Sequence, residues 1–116
     1  MKSNLEKVKT LARDLRDDKQ VPRSPRETLG GYALAARAVD KCRAVLVGWE
    51  GDYSSNCPLD QRWLSFAGIK YDAFKAFVAT GATDEEVARW IGDHANKRPQ
   101  AGIDAWNKRE GAVRIS

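Results

Sequence analysis

Ser24-Pro25-Arg26-Glu27-Thr28-Leu29-Gly30-Gly31-Tyr32-Ala33-Leu34-Ala35-Ala36-Arg37-Ala38-Val39-Asp40-Lys41-Cys42-Arg43-Ala44-Val45-Leu46-Val47-Gly48 is the stretch whose reading decides the fold. Ser24 can cap a helix, Pro25 suits its first position, and Glu27 sits where a capping box wants an acid. The spacing predicts the longest helix of the chain, reaching Val47 and stopped by Gly48. Within it, Gly30 and Gly31 each cost about 1 kcal/mol relative to alanine. The helix therefore starts either near Pro25 or only at Tyr32, and the glycine pair also leaves room for a neighbouring backbone.

At about 3.6 residues per turn, Arg26, Gly30, Ala33, Arg37, Asp40, Lys41 and Ala44 share one stripe, and the remaining surface is mostly apolar. A helix apolar over most of its girth is surrounded by its neighbours, which leaves that stripe to face water or a ligand. Arg43 is the exception, because it projects on the side of Tyr32, Ala36 and Val39. A buried guanidinium requires a carboxylate, and Asp60, Glu50 and Asp52 in the following segment are the expected partners. Arg43 is then either a structural ion pair pinning that segment or an anion-binding arginine in a pocket.

Shorter helices are expected on both sides. Leu5, Val8, Leu11, Ala12 and Leu15 recur at helical spacing up to Asp17-Asp18, before Pro22 prevents continuation. Pro58 opens a helix capped by Asn56 or Cys57 and closed by Gly68. Asp72 caps another through Val78, and Thr83-Asp84-Glu85-Glu86 opens one carrying Val87, Trp90 and Ile91. Arg98-Pro99 precedes a last helix with Ile103 and Trp106. Residues 48–57 have turn composition, and no alternating strand pattern stands out. The expected fold is all-α: a single-domain orthogonal bundle of six helices spanning residues 1–116 around one long central helix, with 1–4 and 111–116 as loose ends. Trp63, Phe66, Phe74, Phe77, Trp90 and Ile91 should pack around the central helix.

Four Trp, three Tyr and three Phe in 116 residues argue against disorder. The net charge of +4 is unevenly placed: residues 1–26 hold eight basic and four acidic groups, 27–96 seven and ten, and 97–116 five and two. Basic ends on an acidic body argue against a dedicated nucleic-acid reader, which concentrates positive charge on a folded face. No apolar run is long enough for a membrane helix, and Met1-Lys2-Ser3-Asn4-Leu5-Glu6 lacks a signal-peptide core, so a cytoplasmic location without membrane association is expected. Cys42 and Cys57 would be reduced there.

Several of these residues form an ordered series: Pro22-Arg23-Ser24-Pro25-Arg26, Leu29-Gly30-Gly31-Tyr32, Leu34-Ala35-Ala36-Arg37, Asp40-Lys41 and Arg43-Ala44. It continues with Gly51-Asp52-Tyr53, Asn56-Cys57-Pro58-Leu59-Asp60 and Phe66-Ala67-Gly68-Ile69. The series resembles a bacterial family known as domain of unknown function 5069, strongly over residues 14–70 and loosely beyond. The chain departs from the family pattern at Asp52, where Glu is frequent, and at Ser54-Ser55, where larger side chains occur. The resemblance implies a shared fold and a shared motif cluster, and it transfers no activity.

Among chemical readings, Cys57 at a helix N-terminus is in the setting of a nucleophile, because free amides there favour an anionic sulfur. The bland alternative is a cysteine packed behind the loop, and the base it would need has one histidine candidate, His94. One histidine and two widely spaced cysteines give no zinc spacing, an oxygen site at Asp52, Asn56 and Asp60 has little support, and no metal or cofactor is expected. The remaining mixture of Tyr32, Arg37, Asp40, Lys41, Arg43, Tyr53, Asn56 and Asp60 suits a small polar or anionic ligand held between the long helix and the 50–60 loop. A protein-interaction or structural module is the alternative, and nucleic-acid association through the basic ends comes third.

Overall fold

The computed structural model describes residues 3–110. They form six helices and a small antiparallel ribbon: α1 (Asn4–Leu11), β1 (Thr28–Leu29), β2 (Tyr32–Ala33), α2 (Ala35–Val47), α3 (Pro58–Ala67), α4 (Tyr71–Val78), α5 (Asp84–His94) and α6 (Gln100–Glu110). The architecture is mostly helical, and among the described residues no helix is long and apolar enough to cross a membrane.

The ribbon corrects the all-α expectation. Gly30 and Gly31 have φ of +61° and +90°. Positive φ at both central residues makes a tight hairpin turn, so the chain reverses instead of winding. Thr28 pairs with Ala33 and Leu29 with Tyr32. The Leu34 amide then bonds back to the Pro25 carbonyl at 3.0 Å. Helix α2 consequently starts at Ala35, later than either expected start, after Leu34 in a left-handed conformation with φ 72°. Leucine accepts that strain, about 1–2 kcal/mol, because its side chain is buried in the core. The helix ends where Gly48 adopts φ 76°, as the sequence indicates.

Helix α1 is also shorter than its periodicity suggests. Ala12 turns extended after Leu11, and the chain runs irregularly to Pro25. Leu15 still reaches the core, because its amide bonds to the Trp49 carbonyl at 2.9 Å instead of to a helical turn. Of the expected loose ends, residues 1–2 and 111–116 lie outside the described residues. Ser3 instead caps α1, its Oγ accepting from the Glu6 amide at 3.2 Å, and Asn4 is the first helical residue.

One apolar cluster joins β2 to every helix from α2 to α6. Trp63, Phe74 and Ile91 are fully buried within it, and Phe66, Phe77 and Trp90 pack against it. Phe66 and Trp106 stack with centroids 4.6 Å apart, which seats α6 on α3. Asn107 completes the seat: its Oδ1 accepts from the Ala33 amide at 2.9 Å and its Nδ2 donates to the Gly31 carbonyl at 2.8 Å. One side-chain amide thereby satisfies ribbon groups that a third strand would otherwise pair.

The two turn glycines should respond differently to alanine. A Cβ on Gly31 would meet nothing within 4 Å, whereas one on Gly30 would lie 2.9 Å from the Ile91 Cβ. Both substitutions carry the positive-φ strain, and Gly30→Ala adds overpacking of about 1–3 kcal/mol. Urea unfolding should rank Gly30→Ala as the more damaging by about that margin.

An arginine–aspartate network as the candidate functional site

Along α2 the residues Asp40, Lys41 and Arg43 are all buried. Each must find its counter-charge on another element. Residues two apart on a helix point about 200° away from one another, so Lys41 and Arg43 face opposite sides of α2. This separates the charged residues into two groups.

On one side Asp40 receives the Arg23 amide at 2.7 Å and the Arg23 guanidinium at 3.0–3.2 Å, with Arg13 Nε 3.8 Å away. Arg23 extends to Asp84, its Nη1 donating to Oδ2 at 2.7 Å. Asp84 Oδ1 accepts in turn from Arg43 Nη1 at 2.9 Å, and Arg43 Nη2 donates to the Ala82 carbonyl. The result is a relay of alternating charge, Asp40–Arg23–Asp84–Arg43, tying the 12–24 segment and the start of α5 to α2. Asp84 is placed there by the Thr83–Glu86 capping box, in which Thr83 Oγ1 accepts from the Glu86 amide at 3.2 Å. Around the relay lies a cleft of about 430 Å³, lined by Leu11, Arg13, Arg23, Asp40, Arg43, Thr83, Asp84 and Glu85. Arg43 is only 3% exposed, and its Nε has no hydrogen-bond partner among the described residues.

Burial opposes ionisation of Asp84, but hydrogen bonds from Arg23 and the charges of Arg43 and Arg23 outweigh it and hold its carboxyl below the ordinary 3.8. For Arg23, burial works against the cation, and Asp40 and Asp84 more than compensate, raising its pKa further.

On the opposite side Lys41 Nζ lies 3.0 Å from Asp60 Oδ1, with both side chains almost completely buried. The same ammonium is 3.1 Å from the Cys57 Sγ. Asp60 is the third residue of α3 and forms a capping box with Cys57, whose amide reaches Asp60 Oδ2 at 3.4 Å.

The expected pairing of Arg43 with Asp60, Glu50 or Asp52 is therefore wrong. Arg43 takes Asp84, and Asp60 takes Lys41. Lys41 also leaves the water-facing stripe assigned to it, because α3 closes over that side. The other expected site residues disperse. Arg37 sets its guanidinium over the Tyr53 ring at 5.7 Å and reaches the Arg23 carbonyl at 3.4 Å. Tyr53 also lines a separate cleft of about 390 Å³ with residues of the 15–21 segment, Gly51 and Asp52. Asn56, at φ 58°, accepts from Gln61 Nε2 at the surface. Tyr32 is buried among Trp63, Phe66 and Trp106 and belongs to the core. His94, the proposed base for Cys57, stacks on Trp90 and bonds the Trp90 carbonyl instead. Arg13, Arg23 and Asp84 were not among the expected site residues. The only sequence signal for Asp84 was its place in a capping box, which explains a carboxylate locally without pointing to α2.

Over residues 19–114 the chain matches the family model described as Domain of unknown function (DUF5069), and it belongs to that family. No curated protein matches it. The matched span contains the whole relay from Arg23 to Asp84 and the Lys41–Cys57–Asp60 group, and it excludes Arg13.

The two groups should differ in their sensitivity to loss of a cation. Lys41→Met strands a buried carboxylate and should cost about 3–5 kcal/mol, most of it recovered in Lys41→Met/Asp60→Leu. Arg43→Met leaves the half-exposed Asp84 still paired with Arg23, so its cost should be nearer 1.5–3 kcal/mol, roughly the value of a charged hydrogen bond, with no rescue from Asp60→Leu. Denaturant midpoints of the four variants check both statements.

Acid sensitivity follows from Asp84. Its folded pKa lies below 3.8, so the stability it contributes is present above 3.8 and is lost as pH falls through the lower folded value. Asp84→Asn should therefore flatten the acid limb of a stability–pH profile in that range.

Proposed function

We propose that this family member is a small-ligand binding domain taking an anionic group, a carboxylate or a phosphate, in the arginine-lined cleft between the 12–24 segment, α2 and the start of α5. The observation that carries the reading is Arg43: a guanidinium buried in the wall of a cleft, with an Nε that no described residue satisfies. Guanidinium groups favour planar, bidentate acceptors, and Arg13, Arg23 and Arg43 converge on this one space.

Asp84 occupies the place such a ligand would take. Its side chain is 43% exposed and is shared by Arg23 and Arg43. A carboxylate held by two arginines at the mouth of a cleft is an internal stand-in for a ligand oxyanion, and its exposure makes it displaceable. The Lys41–Asp60 pair supports no such reading, since both of its charges are buried and answer each other.

The test is a thermal-shift and calorimetric series with inorganic phosphate, a phosphate monoester and a short dicarboxylate. A ligand at about 100 times its Kd adds about 2.7 kcal/mol of stability. Asp84→Asn removes the competing carboxylate and should tighten binding, whereas Arg43→Gln should abolish it. If the network is only structural, Asp84→Asn lowers stability and no anion shifts either protein, and the reading fails.

A further inference from the structure

The Lys41–Cys57–Asp60 group plays no part in anion binding and lies across α2 from the cleft. Its geometry is unusual for a structural ion pair. The ammonium of Lys41 faces a carboxylate at 3.0 Å and a thiol sulfur at 3.1 Å. Lys41 and Asp60 are sealed from solvent, while Cys57, just before α3, is half-buried. The sulfur of a half-buried residue in contact with an enclosed amine is a reactive pair, because whatever oxidises the sulfur delivers an electrophile directly to nitrogen.

We infer that Cys57 and Lys41 form an oxidation-triggered covalent bridge between α3 and α2. The first step takes one peroxide: the Cys57 thiol becomes a sulfenic acid and water leaves. In the second step the Lys41 nitrogen attacks the sulfur, an N–S bond forms, and the S–O bond breaks with the oxygen leaving as water. Lys41 begins as an ammonium, so it must lose two protons. One passes to Asp60 Oδ1, already 3.0 Å away, and the other leaves with the departing oxygen. Sulfur is oxidised by two electrons and the peroxide is reduced by two. Lys41 ends as a neutral sulfenamide nitrogen and Asp60 as a neutral acid, so no unpaired charge remains in the buried site.

The other thiol serves as a contrast. Cys42 is fully buried, and burial pushes its pKa up to about 11. Peroxide chemistry proceeds through the thiolate, so Cys42 should oxidise slowly.

The experiment uses the Cys42→Ala variant of the full chain, so that no internal disulfide can imitate the bridge. It is treated with hydrogen peroxide, alkylated, digested with trypsin and mapped by mass spectrometry. The expected result is residues 38–43 linked to 44–62, uncleaved after Lys41, about two hydrogens lighter than the separate peptides, and released by dithiothreitol. A linked pair one oxygen heavier arises when a second peroxide converts the N–S bond to N–O–S with loss of water, and it supports the same capture. Cys57 left as a free thiol, carried only to sulfinic or sulfonic acid, or found only in a disulfide between two chains would each overturn the inference. Lys41→Arg keeps the cation but offers no nucleophile, so if circular dichroism shows it folded, it should yield irreversibly oxidised Cys57 and no link. If Lys41→Arg does not fold, the Cys42→Ala map decides alone.

Discussion

A helix enclosed by its neighbours yet carrying three buried charges is the constraint on which the rest of the structure depends. Asp40, Lys41 and Arg43 are consecutive or nearly so on α2, and each is almost wholly removed from water. Burying one such group unpaired costs several kcal/mol, comparable to the whole stability of a small domain. Each of the three buried charges on α2 therefore receives a specific partner from another segment. The 12–24 segment brings Arg13 and Arg23, α3 brings Asp60, and the start of α5 brings Asp84. Apolar burial drives the collapse, and these pairings determine which element may lie on which side.

The entry to α2 has its own solution. A helix start buried in the core has amides that need acceptors and a chain that must arrive from a fixed direction. The ribbon before it fixes that direction, and the Pro25 carbonyl accepts from the Leu34 amide just ahead of the helix. Two glycines reverse the chain, Leu34 takes a left-handed turn, and Asn107 from α6 satisfies the ribbon's outer groups. A residue late in the chain thus locks the geometry of its first third.

The two charged groups on α2 share a chemical style and differ in their relation to solvent. The Arg23–Asp84–Arg43 side opens into a cleft and keeps one carboxylate half exposed, which is what the proposed exchange for another anion rests on. On the Lys41–Asp60 side both charges are enclosed and the adjoining Cys57 is half-buried. Exchange of partners suits the first and covalent change suits the second. Because both act on the same helix, an event on either side bears on elements that the other side helps to hold.

Much of this was legible in the residues themselves. The helices after residue 57, the openings at Pro58 and Thr83, the closures of α2 at Gly48 and of α3 at Gly68, and the aromatic core follow from local rules of period, cap and turn, which need only neighbouring residues. The expected cap of α4 does not hold, because that helix begins at Tyr71 after Lys70 and Asp72 lies within its first turn. That Arg43 must be paired was also legible, from its place on an apolar face. The identity of its partner was not. Asp60 is 17 residues away along the chain and Asp84 is 41, and nothing in either local pattern distinguishes a carboxylate that will face α2 from one that will face water. The glycine pair was ambiguous for a related reason: Gly30-Gly31 permits both a costly helix and a tight hairpin. The hairpin wins because its strands close against α2 and α5 and bond to Asn107. Local chemistry determined which groups require a partner, and only the packing of distant segments decided which partner each one receives, because a buried charge is satisfied by proximity in space and not in sequence.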